Sequence, residues 1–481
     1  MTPVWLVLPD PFSSRLFFDT GIVGRLRERL GDRLELFLLD TGEQAAAWRE
    51  RAEQTRVTVP DDLRAPPVPA AQKAFRRTDA WLDRRIGFYP LSLRHSLRHG
   101  FHRQRMRRGH SNWFLDPTLA GPLPRWDRLD PALVRWHYSR LRYVAPPLLR
   151  RLRDERPGVA LANLQMHSVI PFVVGARRFG LPVVGHIASW DHTVGKGIVA
   201  PGLRRYVVQN EVMRGDLVRY HGVEPDRIAV TGWPQTDVFH RRRPRADYEA
   251  LLGGLGLDPQ RPLVLVMGNT PTNAPYEGRL VERLVAWWEE TGARERFSLL
   301  FRPHPRDRHW RDRFGAALER PGAAVQEPSF TDLETLAVLL QHGHLVVSNA
   351  GTILLDALAN DRPAVCTLYD EGAPPGESWA LKNVSGEHYR PLFESEAFYR
   401  ATSFEELTTG IDRGLSQPDE LHEERDRIVR LVLGEIDGRA AERVAEAIVT
   451  SVDDNPASRS RPGRSRWPRR SPRSRPPSPS S

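Results

Sequence analysis

Short apolar runs recur along this chain, and each is followed by an amphipathic stretch of helical spacing. Val4 to Leu8 (VWLVL) is apolar at every position, as a strand covered on both faces must be. Ile22 to Leu30 then repeats with helical spacing, and Leu34 to Leu39 is a second apolar run. The alternation predicts strands at 159–163, 183–187, 206–209 and 228–231, with helices at 167–179 and 211–220 between them. Residues 233–245 hold two prolines and a basic run, and they read as a linker. The pattern then restarts. It predicts strands at 263–267, 297–301, 323–326, 344–348 and 364–368, and helices at 276–291, 306–318 and 332–341. Three final helices are expected near 403–416, 419–433 and 438–451 on this second half, with the last helices crossing back to brace the first domain. Strands alternating with helices imply parallel sheets with both faces covered. The expected fold is α/β, with two doubly wound domains, 1–232 and 246–452, facing across a cleft. Ligands of such sheets bind beyond the carboxyl ends of the strands.

Two stretches break the alternation. Residues 60–127 lack clean periodicity and mix arginine with Trp81, Phe88, Tyr89, Trp113 and Phe114, which reads as a basic-aromatic insertion. Residues 453–481 are Ser, Arg and Pro, a composition that buries too little apolar surface to fold and predicts a disordered tail. The net charge of +10 comes mostly from that tail: residues 458–481 hold eight Arg and no acid, so residues 1–457 carry only +2. Between Phe75 and His110 lie ten Arg against Asp79 and Asp83. Arginine beside aromatics over 75–114 suits an anionic membrane surface or a lipid-diphosphate acceptor, and the tail could add weak attraction. The plainer reading is a solvated helix face over core aromatics. No folded reader of specific nucleic acid is evident.

The length of 481 residues exceeds one ordinary core. No apolar run is long enough to span a bilayer. The opening MTPVWLVLPDPF lacks a basic leader and reads as a core strand rather than a signal peptide. Cys366 is the sole cysteine, so no disulfide framework forms. A cytoplasmic location is the expectation, either free or peripheral on the inner face of the plasma membrane.

The candidate chemistry concentrates between Arg302 and Tyr369. Ser348-Asn349-Ala350-Gly351-Thr352 ends one strand and opens a helix whose free N–H groups suit a phosphate or diphosphate. Gly351 allows close backbone approach, and the Thr352 hydroxyl can cap the helix or touch phosphate. Ser348 and Asn349 read equally well as a simple cap. Arg302 and His304, in FRPHP, end the preceding strand and could meet the same anion. The alternatives are a buried salt bridge for Arg302 and a structural turn for His304. Asp356 lies one turn into the helix. Gly268-Asn269-Thr270 ends the first strand of the second domain and is either a donor contact or a plain turn. Asp370-Glu371 could hold sugar hydroxyls or form an exposed loop. On the acceptor side, Asp191 follows the 183–187 strand and could take a proton from a hydroxyl. His192 and His167 could do the same, although Asp191 could merely cap a turn and His167 could merely begin a helix. No Asp-X-Asp stands at a strand end, and the His residues lack ligand spacing, so neither metal nor cofactor is expected.

Five segments carry a family resemblance. They are SWDHTVGKG at 189–197, TGWPQTD at 231–237, RPHP at 302–305, SNAGT with LDA at 348–357, and DGRAAER at 437–443. In order and spacing this chain resembles GT-B-type glycosyltransferases of bacterial surface carbohydrate synthesis, in particular the CDP-glycerol glycerophosphotransferase-like group. The similarity runs from about 160 to 450. It implies two Rossmann-like domains in a GT-B-like arrangement, an acceptor loop around Asp191, and a nucleotide-diphosphate donor on the 348–352 helix. One departure matters. The group carries Trp-His-Gly-Thr in its acceptor loop, whereas Asp191 and His192 stand here at the His and Gly positions. That tilts the expectation from glycerol-phosphate transfer towards transfer of a sugar to a glycan or lipid-linked acceptor. Glycerophosphotransfer from CDP-glycerol, a UDP-sugar 2-epimerase and a non-catalytic nucleotide-sugar binder remain open alternatives.

Overall fold

The computed structural model describes residues 2–39, 45–57, 59, 144–195, 199–317, 320–330, 332–349, 351–384 and 387–453. Two six-stranded parallel sheets organise them. The expected insertion at 60–127, the 75–114 block, Ala350 and the tail from 454 lie outside the described residues.

The first half contains β1 (Val4–Leu8), α1 (Pro11–Asp19), α2 (Ile22–Leu30), β2 (Leu34–Leu38), α3 (Ala45–Gln54), α4 (Pro146–Glu155) and β3 (Gly158–Leu161). It continues with α5 (Ile170–Arg178), β4 (Val183–His186), α6 (His192–Gly195), β5 (Arg205–Val208), α7 (Glu211–His221) and β6 (Ile228–Val230). Strand order is β2-β1-β3-β4-β5-β6. Every residue of β1 is buried because both faces are covered. Trp5 and Val7 pack towards α4 and α5, while Val4, Leu6 and Leu8 pack towards α1 and α2.

The connection over 233–245 is itself structured. Helix α8 (Gln235–His240) is buried along most of its length and leads to α9 (Arg245–Gly254). Then follow β7 (Leu263–Met267), α10 (Glu277–Glu290), β8 (Ser298–Arg302), α11 (Trp310–Arg313), β9 (Ala323–Val325), α12 (Leu333–His342) and β10 (Leu345–Ser348). The rest is α13 (Thr352–Ala359), β11 (Ala364–Thr367), α14 (Trp379–Val384), α15 (Arg390–Phe393), β12 (Tyr399–Ala401), α16 (Phe404–Ser416), α17 (His422–Val432) and α18 (Ala440–Asp453). The second sheet runs β12-β11-β10-β7-β8-β9. The helix expected over 306–318 shrinks to the single turn α11. Asp307 captures the His309 N–H at 3.0 Å and pairs with Arg313, so turns replace the start of the helix.

The chain finally returns to the first sheet. Ala441, Val444, Ala445, Ile448 and Val452 of α18 join the apolar layer of α1 and α2. Asp237 of α8 caps α18, accepting from the N–H groups of Ala440 (3.0 Å) and Ala441 (2.7 Å). Gly232 has φ +83° with Arg443 pressed against it, so a side chain there would be strained and crowded. Losing the cap in Asp237→Ala should cost about 1 kcal/mol. Urea unfolding checks it, as a lowered midpoint at unchanged slope.

Candidate functional site

Strand order reverses between β1 and β3 in the first sheet and between β7 and β10 in the second. Loops leaving the carboxyl ends of such neighbours diverge and open a crevice. The expected donor residues cluster at the second reversal.

At the end of β7, a Cβ on Gly268 would lie 2.9 Å from Phe314 and 3.1 Å from the Pro303 backbone. Glycine therefore lets the loops after β7 and β8 pass in contact. Glu277 accepts from the Asn269 N–H at 2.9 Å, and the Asn269 side chain accepts from the Thr270 N–H at 2.8 Å. Behind them, Arg313 donates to the carbonyls of Asn269 (3.2 Å) and Ala274 (2.7 Å) and to Glu277 (2.8 Å), and it pairs with Asp307. These bonds fix the loop as a unit.

At the end of β8, Arg302 is buried and paired with Asp332, the salt-bridge alternative raised by the sequence. His304 Nδ1 accepts from the Arg306 N–H at 3.0 Å. Burial, helped by the charge of Arg306, pushes its pKa down to about 4. At neutral pH its remaining proton therefore sits on Nε2, a neutral donor.

At the end of β10, Ser348 Oγ donates to the carbonyls of Met267 (3.1 Å) and Asn349 (2.8 Å). The Asn349 amide donates to the Thr367 carbonyl at 2.7 Å and accepts from Asn383 at 2.6 Å. Both side chains brace the turn rather than cap the helix. The N-cap of α13 is Gly351, and no side chain caps it, so the amides that begin at Thr352 have no side-chain acceptor. The fold does not demand glycine at 351. Its φ of −169° is ordinary extended backbone, and an added Cβ would meet nothing nearer than 3.7 Å. Asp356, one turn further on, is buried and faces the first half, accepting from Gln235 of α8 at 2.8 Å. Burial pushes its pKa up to about 7.

The acceptor loop follows β4. Ser189 Oγ hydrogen-bonds Asp191, and His192 Nε2 stands 4.0 Å from the same carboxylate. The His192 carbonyl accepts from Gln165 at 3.3 Å. Trp190 meets the rings of His388 and Tyr389 edge-on, with centroids 4.8 and 4.9 Å away. The loop thus lies against the second domain. Burial raises the Tyr389 pKa well above its usual value, with Cys366 and Asp191 adding to the effect. His221 holds the loop from behind: Nε2 donates to the Thr193 carbonyl at 2.6 Å, and Nδ1 accepts from the Val199 N–H at 3.1 Å. His167 opens a short 3-10 turn, and its side chain lies outside the described residues, as do Lys196 and Gly197. Asp370 caps α14, accepting from the N–H groups of Trp379 and Ala380.

Gln165, Gln235 and Asn383 hydrogen-bond His192, Asp356 and Asn349, and Arg15 bonds Gln235; sequence reading gave none of the four a role. Arg15 and Gln165 follow β1 and β3, so strand order would have signalled them once the reversal point was known. Among the described residues, no group of three or more His, Cys, Asp or Glu could hold a metal ion. No described helix is long and apolar enough to cross a membrane.

No protein-family model and no curated protein matches this sequence. Solved structures share the fold. The UDP-GlcNAc 2-epimerase of Neisseria meningitidis, bound to UDP-GlcNAc, superposes with a TM-score of 0.53 at 10% identity, covering 93% of this chain and 100% of that one. MnaA of S. aureus with UDP gives 0.54 at 10% identity, covering 94% and 97%. A putative UDP-N-acetylglucosamine 2-epimerase of Listeria monocytogenes gives 0.54 at 12% identity, covering 93% and 96%. At such identities the likeness is one of fold: two Rossmann-like domains facing across a cleft, as in GT-B proteins.

Proposed function

We propose that this chain is a metal-independent glycosyltransferase of the GT-B type. It moves a sugar from a nucleotide-diphosphate donor to a hydroxyl of a cell-surface glycan or lipid-linked acceptor. The observations that support the reading are the uncapped N-terminus of α13 after β10, neutral His304 after β8 in the same sheet, and the packing of Trp190, next to Asp191, on Tyr389 of the second half. Asp191 takes the acceptor proton as the hydroxyl oxygen attacks the anomeric carbon. The bond from that carbon to the diphosphate oxygen breaks, and the nucleoside diphosphate leaves with the electron pair. Its new charge falls on the α13 amides and the His304 Nε2–H, fixed dipoles that need not reorganise. On this reading no metal or cofactor is required. A lipid-linked acceptor at a membrane face would suit the arginine-aromatic block of the sequence.

Gly351→Asp separates this reading from a purely structural helix start. A carboxylate at the N-cap satisfies the same amides, so α13 should be stabilised, by about 0.5–1 kcal/mol. The same carboxylate repels a diphosphate. The expected result is an unchanged or raised melting temperature with nucleotide binding lost. Screening UDP, GDP, CDP and dTDP by thermal shift identifies the base, since a ligand at 100 times its Kd adds about 2.7 kcal/mol of stability. Retained nucleotide binding in Gly351→Asp would remove the diphosphate from this helix.

A second reading, a UDP-sugar 2-epimerase, is favoured by the fold shared with the Neisseria and Listeria proteins. Incubation with donor alone discriminates. Epimerisation converts the sugar nucleotide without acceptor, transfer needs acceptor and releases nucleoside diphosphate, and release of CMP would assign glycerophosphotransfer.

A further inference from the structure

We propose that Arg15 is the first domain's share of the donor site: its guanidinium and the N-terminus of α13 grip one diphosphate from opposite walls of the crevice. The proposal rests on the reading that α13 binds a nucleotide diphosphate. Arg15 lies in α1, which starts at the carboxyl end of β1, beside the first sheet's reversal point. It reaches out of its own domain. Its Nη2 donates to Gln235 Oε1 at 3.2 Å, and Gln235 Nε2 in turn donates to Asp356 of α13 at 2.8 Å. Arg15 is thus two hydrogen bonds from the helix whose tip is uncapped.

Its charge is poorly compensated. Asp356, Asp332 and Asp19 all act on it electrostatically, yet none forms an ion pair with it among the described residues. Each is engaged elsewhere: Asp332 with Arg302, Asp356 with Gln235, Asp19 with Arg51. Arg15 Nε is buried and has no acceptor. Arg15 is half-buried, with its guanidinium over the Phe12 ring at 5.2 Å and Gln235 as its hydrogen-bond partner, and withdrawing a guanidinium from water on these two neutral contacts is costly unless a counter-charge offsets it. Protein groups supply little, because Arg302 pairs with Asp332, Arg51 pairs with Asp19, and burial pushes the Asp356 pKa up to about 7. Arg15 also depresses the pKa of both Arg302 and His304, so all three share one space. Two guanidiniums, one neutral imidazole donor and a helix N-terminus, with Asp356, Asp332 and Asp19 all engaged elsewhere, favour a multiply charged anion. The planar fork of arginine fits phosphate oxygens. A diphosphate held this way ties the domains together, so donor binding and domain closure become one event.

Calorimetry on the full chain tests this, using inorganic pyrophosphate, the nucleoside diphosphate giving the largest thermal shift, and the matching nucleoside. Arg15→Gln should weaken pyrophosphate and nucleoside diphosphate at least tenfold and leave the nucleoside unchanged. Arg15→Lys keeps the charge but loses the fork, and should weaken both phosphate ligands at least threefold. Arg427→Gln, an exposed change on α17, serves as control and should alter nothing. If the unaltered protein binds nucleoside diphosphate and Arg15→Gln matches it within twofold, Arg15 has no such role while the donor-site reading stands. Equal weakening of nucleoside and phosphate ligands would make Arg15 merely structural. Should Arg15→Gln not fold, unchanged affinity in Arg15→Lys overturns the assignment. If the unaltered protein binds no phosphate ligand at all, the donor-site reading itself falls.

Discussion

Asp191→Asn should lower turnover by about 10²–10⁴-fold, the usual contribution of a positioned general base. The amide is nearly isosteric and can still accept from Ser189 Oγ, so the loop should keep its shape. What disappears is the capacity to take a proton. Donor affinity should hold, because the proposed diphosphate contacts lie on α13, the β8 loop and Arg15 rather than on the Asp191 loop. The expected signature is therefore a fall in kcat with donor Kd unchanged, read by product release and calorimetry on the same preparation. A fall of less than about threefold would place the base elsewhere, with His192 as the nearest alternative. His221 makes the loop a firm platform for this comparison. Burial holds its pKa near 4, so both of its backbone hydrogen bonds persist throughout the neutral range.

The candidate site was legible in the sequence where its pattern is local. The 348–352 turn was visible because an apolar run, small polar residues and a helical pattern follow one another within a dozen positions. The parallel sheets were visible for the same reason, since a fully covered strand such as β1 is apolar at every position. Local pattern could not show which side chains the turns consume. Asn349 looked like a cap or a ligand contact, but its amide is committed to Thr367 and Asn383, the latter 34 residues away. Arg302 offered the right chemistry for phosphate but is paired to Asp332, 30 residues on. Arg15 and Gln235 lie 220 residues apart, in α1 and in helix α8 of the connection, and only the folded chain brings them together. The 306–318 helix failed for a related reason. Its spacing was helical, but Asp307 and Arg313 satisfy each other inside a buried cluster that a regular helix would pull apart.

That cluster supports the second large effect. Arg313→Met keeps most of the side chain's volume and removes its charge. It leaves Asp307, whose side chain is wholly buried, and Glu277, whose side chain is 9% exposed, without their counter-ion. Breaking a buried pair from one side typically costs about 3–5 kcal/mol. The loss should depend on pH in a definite direction. Burial already pushes Glu277 up to about 7, against the pull of Arg313. A carboxyl whose folded pKa is raised binds more protons folded than unfolded, so stability falls as pH rises towards the folded value. In the unaltered protein that fall ends near pH 7. Without Arg313 the folded pKa rises further and the fall continues beyond it. Urea unfolding should therefore show a larger deficit at pH 8 than at pH 5.5. Donor binding should weaken in parallel, because Arg313 also holds the carbonyls of Asn269 and Ala274 in the β7 loop. A deficit independent of pH would mean that losing Arg313 leaves the titration of Glu277 where it was, and that the loop bonds rather than the charges carry the stability.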